Sequence, residues 1–292
     1  MLLRAGLEIA DRVVAALPSG VAYRLADLAG DAWYRLAPAR RRLVAANLER
    51  VCAATGRPTR GRTFTALVHA AFRHHARYYV ELLRVPHYHL DELDGMIEVP
   101  PWPTFERAMV GRPSVFVSAH VGNFEPFGSF LASRGIRPLS PIEEIEPRPL
   151  YEFLAAHRGG SHVDLVPLRD ARRALSARLR EGGMVGIIGD RDIGGGGQRV
   201  ELFGHATTVP TGPAFLAITH HAALIVGRCL RTGPDRFRGE GEILDVPDTG
   251  DRRADVATLT ARIAARFERD IGEAPEQWWG AFQPRWPDLP GS

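Results

Sequence analysis

Apolar and polar positions in the first part of the chain recur with a helical period. Leu3, Leu7, Val14 and Leu17 fall at helical spacing with Arg4, Glu8, Asp11 and Arg12 among them, which predicts an amphipathic helix ending near Pro18. A second helix is predicted from Val21 to Leu36 and others before Pro86, so residues 1–95 read as a helical cap. From Gly95 onward the period changes. Short apolar, β-rich runs at Ser114–Ser118, Val163–Val166, Val185–Ile188 and Leu224–Cys229 alternate with helical stretches such as Phe124–Arg134 and Ala171–Glu181. The alternation predicts an α/β fold over residues 96–292, a mostly parallel central sheet flanked by helices. No Pro-, Gly- or Ser-rich linker divides the chain and no repeat is present, so residues 1–292 are expected to form one domain.

In open sheets of this type, ligands bind beyond the carboxyl ends of the strands. His120 and Asp190 both fall there. His120-Val-Gly-Asn-Phe-Glu125 follows the first apolar run directly, placing an imidazole at a strand exit and a carboxylate five residues on. On a continuous helix these two would point roughly 140° apart. With Gly122-Asn123 as a turn and Phe124-Glu125 opening a helix, Glu125 is instead expected to fold back toward His120, fixing one ring nitrogen as donor and leaving the other to take a proton. The plain alternative is a satisfied strand-end histidine and a glutamate favoured by the helix dipole.

Ser118-Ala-His-Val-Gly-Asn-Phe-Glu125 resembles the His-x4-Asp/Glu motif of the bacterial lysophospholipid and lipid A late acyltransferases. Glu143-Glu-Ile-Glu-Pro147, Leu150-Tyr-Glu-Phe153 and Arg158 resemble the second block of that superfamily. Val185-Gly-Ile-Ile-Gly-Asp-Arg-Asp192, Val200-Glu-Leu-Phe-Gly204 and Val209-Pro-Thr-Gly-Pro-Ala214 resemble the third. Arg41-Arg-Leu-Val-Ala-Ala-Asn-Leu48, Ala76-Arg-Tyr-Tyr-Val-Glu81, Gln277-Trp-Trp and Gln283-Pro-Arg-Trp286 extend the likeness over nearly the whole chain. Within the group, the Asp-Arg-Asp element and the C-terminal tail most resemble the actinobacterial phosphatidylinositol mannoside acyltransferases.

The resemblance implies a glycerolipid-acyltransferase-like fold and an acyl-CoA-dependent O-acyltransferase acting on a membrane glycolipid, with a mannose hydroxyl first and a lysophospholipid or lipid A-like acceptor second. It implies His120 as general base and Glu125 as its orienter, with no acyl-enzyme. A further acidic partner is implied in the third block: aligned on Phe203-Gly204 its position falls on Arg199, and Glu201 is the nearest carboxylate. Asn123, Glu143, Arg158, Asp190, Arg191 and Asp192 are carried over as substrate-binding residues. The turn amides after His120, or Arg191, are the candidate oxyanion donors. No cofactor is implied beyond acyl-CoA as co-substrate.

Composition narrows the surroundings. The 37 basic residues are all arginine and the formal charge is +3, a surface suited to phosphate groups of anionic lipid or a nucleotide-containing donor. No aromatic-basic motif points to nucleic acid. Cys52 and Cys229 are too few for a disulfide scaffold, and His74-His75 and His220-His221 lack acidic partners at ligand spacing, so no metal is expected. No run reaches the roughly 18 apolar residues of a membrane span, and the start lacks a signal-peptide core. Peripheral attachment to the cytoplasmic face of the plasma membrane is expected, through Leu2, Leu3 and Arg40-Arg41-Arg42. Gly194-Gly-Gly-Gly197 is either a mobile connector or a binding loop. A catalytically silent lipid- or CoA-binding protein stays possible on fold alone, whereas a serine hydrolase would need a Gly-x-Ser-x-Gly elbow that is not present.

Overall fold

The computed structural model describes residues 2–109, 111–160 and 162–289, except for the side chain of Leu2. Helices α1 (Leu2–Ala16), α2 (Ser19–Leu36), α3 (Pro38–Ala54) and α4 (Gly61–Arg84) come first. Pro18 separates the first two as the sequence predicts, and Pro38 opens α3, where its missing N–H leaves no helical bond unmade. There follow α5 (Leu90–Met96), β1 (Ile97–Glu98), α6 (Trp102–Met109), β2 (Ser114–Ser118), α7 (Glu125–Ser133), β3 (Leu139–Ile142), α8 (Arg148–Gly160) and β4 (Asp164–Pro167). The remainder is α9 (Ala171–Arg180), β5 (Met184–Ile188), the hairpin β6 (Gln198–Leu202) and β7 (His205–Val209), α10 (Gly212–Thr219), β8 (Ala223–Gly233), β9 (Arg236–Leu244) and α11 (Arg252–Glu273).

Seven strands form one sheet in the order β1-β9-β8-β2-β5-β3-β4, with every neighbouring pair parallel except β8 and β9. All five residues of β2 are buried, as a strand covered on both faces requires. Its alternation divides the core: Val115 and Val117 pack with Leu48, Phe72, Ala214 and Phe267 of α3, α4, α10 and α11, while Phe116 joins Phe105, Phe127 and Phe130 of α6 and α7 on the opposite face. The predicted fold class is therefore the observed one. The sheet also holds strands outside the prediction. β3 contains Pro141, which has no N–H for a ladder, and its register with β5 ends at Leu139↔Val185, ahead of the proline. β9 (Arg-Phe-Arg-Gly-Glu-Gly-Glu-Ile-Leu) is polar and glycine-containing, and it is held by its long antiparallel register with β8.

Buried ion pairs tie the helices to the sheet. Glu81 of α4 accepts from Arg231 of β8 through both oxygens, one of these bonds being 2.6 Å, and from Tyr23 of α2 at 2.7 Å. Arg84 donates to the Val14 and Leu17 carbonyls at 2.9 and 2.7 Å, closing the end of α1, and pairs with Asp235 at the β8–β9 turn. Arg231 also donates to His74 Nδ1 at 2.8 Å, while His75 packs among Trp33, Tyr79 and Phe282. Burial, with neighbouring guanidiniums behind it, pushes both imidazoles down to about 3. Below pH 6.5 the unfolded chain takes up protons on these histidines that the folded chain refuses until about pH 3. Folding stability is thus expected to fall by up to about 1.4 kcal/mol per pH unit for each across that window. Urea midpoints between pH 7 and 4 check this, and His75→Phe is expected to flatten the slope.

Among the described residues, no helix is long and apolar enough to cross a membrane. Leu3, Ile9 and Val13 of α1 and Val21, Leu25, Leu28 and Leu36 of α2 are exposed. Leu2 lies outside the described side chains. Of the arginine cluster Arg42 is exposed; Arg40 donates to the Phe282 carbonyl, and Arg41 lies over the Tyr34 ring and bonds the Tyr34 carbonyl.

Candidate active site

β2 and β5 are parallel neighbours with Ser118 opposite Ile188, and Gly189 N–H bonds the Ser118 carbonyl at 2.8 Å. Two residues past each paired end stand His120 and Asp190, so the register alone brings them to the same height at the carboxyl edge of the sheet. His120 Nδ1 hydrogen-bonds Asp190 Oδ1. The other oxygen, Oδ2, accepts from Trp278 Nε1 at 3.1 Å. Asp190 is wholly buried. Burial works against its charge, yet His120, Arg285 and Trp278 together hold the carboxyl well below the usual carboxylate range. An ionised carboxylate only accepts, which assigns the proton to Nδ1 and leaves the Nε2 lone pair as a base. Trp279 sets its ring edge-on to the imidazole, 4.3 Å between centroids.

The turn after His120 is pinned on both sides. Gly122 has φ +73°, and its amide bonds the Gln277 carbonyl at 3.0 Å while that of Asn123 bonds the Cys229 carbonyl at 2.8 Å. The Val121 amide bonds the Ala119 carbonyl at 2.7 Å. These three amides face protein carbonyls, which removes them from the expected set of oxyanion donors and leaves Arg191, half-buried beside Asp190.

Glu125 opens α7 as predicted, its amide bonding Asn123 Oδ1 at 3.0 Å. Its carboxylate does not fold back to His120. It takes Arg158 Nε of α8 at 3.1 Å and the Tyr78 hydroxyl at 3.5 Å, and Arg158 also reaches that hydroxyl at 3.1 Å. The expected His120–Glu125 bond is thus replaced by His120–Asp190, because Arg158 offers the buried carboxylate a full counter-charge. Burial still pushes the Glu125 carboxyl above its ordinary range, against the pull of Arg158 and Tyr78. Asn123 holds the turn from inside by donating to Glu81 at 2.7 Å. The block Ala76–Glu81, which carried no assigned role in the sequence, therefore supplies Tyr78 and Glu81 from one face of α4. Tyr78 also stacks on Trp279, 4.9 Å between centroids, so α4, the C-terminal tail and His120 form one continuous wall.

Other sequence candidates are dispersed. Both oxygens of Asp192 are engaged by the glycine loop, accepting from the Gly195 and Gly197 amides at 3.1 and 2.7 Å; its role is to shape that loop. Glu201 is exposed on the β6–β7 hairpin, opposite Ala206, and is not bonded to His120. A strand alternation points Glu201 and Arg199 to the same exposed face, so the expected catalytic contact of Glu201 is not made. Glu143 is exposed just past β3. His74, His75 and His220 are engaged by Arg231, by the aromatic cluster and by Ser176 respectively. An apolar groove of about 450 Å³ lies between α2 and α4, lined by Leu25, Ala29, Trp33, Tyr79 and Leu83 among others. A hollow of about 340 Å³ near Thr55 and Glu268 shares no residue with the His120 site.

The profile of the bacterial lipid A biosynthesis acyltransferase family matches residues 7–287, nearly the whole chain. This chain belongs to that family. It is an acyltransferase, and the resemblance read from the motifs holds. It is 30% identical over 230 residues to a phosphatidylinositol mannoside acyltransferase of Mycolicibacterium smegmatis, covering 75% of this chain and 72% of the relative. It is 29% identical over 228 residues to the protein of the same name in Mycobacterium tuberculosis, covering 75% and 70%. Membership implies an acyl donor and a lipid acceptor.

Proposed function

We propose that the chain transfers a long acyl chain from acyl-CoA to a hydroxyl of a membrane glycolipid, a mannose of phosphatidylinositol mannoside being the acceptor of first choice. The observation that carries the reading is the His120–Asp190 pair, buried on the Asp side and walled by Trp279. His120 Nε2 takes the proton of the acceptor hydroxyl as its oxygen attacks the thioester carbonyl. Asp190 fixes the tautomer and stabilises the imidazolium. Arg191 is the donor nearest in sequence to Asp190 for the tetrahedral oxyanion. As the intermediate collapses, the C–S bond breaks and the imidazolium proton goes to the departing thiolate, so no acyl-enzyme forms.

Glu125, Arg158 and Tyr78 then serve as a polar wall for the acceptor headgroup, and Glu143 is a further polar contact for it. The apolar groove between α2 and α4 suits the acyl chain. The exposed leucines and valines of α1 and α2 around it fit peripheral contact with an anionic bilayer on the cytoplasmic face. The acceptor is tested by offering radiolabelled palmitoyl-CoA with phosphatidylinositol mannoside, a lysophospholipid and a lipid A precursor. Label on the mannoside at the highest kcat/KM supports the reading; label confined to lysophospholipid assigns a different acceptor to the same chemistry. Binding of all components without turnover would instead favour a silent lipid-binding protein.

A further inference from the structure

Asp11 of α1, His87 in the short helical turn Val85–His87 and His157 of α8 converge outside the site described above, with one ligand atom from each lying within 4.8 Å of the others. Both imidazole Nε2 atoms lie 2.9 Å from the same oxygen, Asp11 Oδ1. The His157 ring is oriented by its second nitrogen, which lies 2.9 Å from the Phe153 carbonyl and so donates there. The other nitrogen, Nε2, thus faces Asp11 together with Nε2 of His87.

We propose that Asp11, His87 and His157 bind one divalent transition-metal ion of the zinc class. Two imidazoles and one carboxylate are a donor set for zinc or a neighbouring first-row ion and a poor one for calcium or magnesium, which take oxygen. Bonds of about 2.0–2.1 Å in a tetrahedral set space the ligand atoms about 3.3 Å apart; here each imidazole Nε2 lies 2.9 Å from Asp11 Oδ1, and all three ligand atoms lie within 4.8 Å of one another. The Nδ1–H to carbonyl bond of His157 is the support that metal-bound histidines generally carry. The His87 side chain is 43% exposed against 13% for His157, so an ion enters from the His87 side and keeps a position for water. The three ligands come from sequence positions up to 146 apart, so the ion staples α1 to α8. It fixes the angle at which Leu3, Ile9 and Val13 face outward, and it sits one residue from Arg158, which holds Glu125.

The test uses the full chain without a histidine tag, stripped by chelator and titrated with Zn²⁺ against a chromogenic competitor, with Co²⁺ absorption as the coordination signature. One equivalent is expected to bind, with a cobalt d–d spectrum and a raised thermal midpoint. Asp11→Asn, His87→Ala and His157→Ala are each expected to weaken binding about 100-fold or more, while the exposed His205→Ala leaves it unchanged. His87 is exposed enough for its variant to keep the fold, which circular dichroism verifies. Failure of the unaltered chain to bind, or equal binding by the His87→Ala chain, overturns the proposal and leaves a plain imidazolium–carboxylate clasp.

Discussion

Replacing Asp190 by asparagine is expected to lower kcat for acyl transfer about 10³–10⁴-fold with KM changed little. Asparagine keeps the shape and its oxygen can still take the Trp278 N–H. Its NH2 group must then face His120 Nδ1, which forces the imidazole proton onto Nε2, the atom that has to accept the substrate proton. The chemistry fails while the acceptor and donor still bind. The kcat-against-KM split measures this, and ¹⁵N NMR of labelled histidine is expected to show His120 with Nδ1 protonated in the unaltered enzyme and Nε2 protonated in the variant. Glu125→Gln supplies the contrast. Its side chain touches Arg158 and Tyr78, so it is expected to leave the His120 tautomer in place. A variant at Glu125 that moved the tautomer would transfer the orienting role from Asp190 to Glu125.

Gly122→Ala is expected to destabilise the fold by about 2–4 kcal/mol and to remove activity in whatever fraction stays folded. A Cβ built at this position lies 2.0 Å from the Cys229 carbonyl oxygen and 2.7 Å from its carbon, both backbone atoms of the central strand β8. The backbone there is also left-handed, φ +73°, which adds strain for any residue with a Cβ. Relief requires the turn to lift away from β8, carrying His120 on one side and Asn123 on the other and breaking the amide bonds to Gln277 and Cys229. Gly194 makes a control, since an added Cβ meets nothing within 4 Å. Urea midpoints and transfer rates of Gly122→Ala and Gly194→Ala separate the two sites.

The residues that announce the site in the sequence are those whose chemistry is local. His120 behind a β-branched run, the Gly122-Asn123 turn and Glu125 at a helix start are read from adjacent positions, and all stand where spacing places them. Partnership was not local. That β5 lies beside β2 is a property of the sheet order, and with it comes the pairing of His120 with Asp190, where spacing along the chain points to Glu125. Arg158 misleads in the same way: it is visible as a basic residue in a block resembling the family, but only the packing of α8 shows that it neutralises Glu125. The exposed Glu201 shows the limit of motif transfer, because alternation along β6 decides which face a carboxylate occupies. Trp278, Trp279, Tyr78 and Glu81 stand in motifs to which the sequence assigns no role, since indole and phenol contacts over 40 or more positions, such as Trp278 to Asp190 and Tyr78 to Glu125, leave no periodic signal. The same holds for Asp11, His87 and His157, whose spacing matches no metal motif.

The most direct test of the account is the rate of acyl transfer from palmitoyl-CoA to phosphatidylinositol mannoside by the His120→Ala chain beside the unaltered one, with folding confirmed by circular dichroism. Loss of the general base is expected to cost about 10²–10⁴-fold in kcat while acceptor binding persists. Transfer by His120→Ala within a few-fold of the unaltered rate would contradict the central claim and place the chemistry elsewhere on the chain.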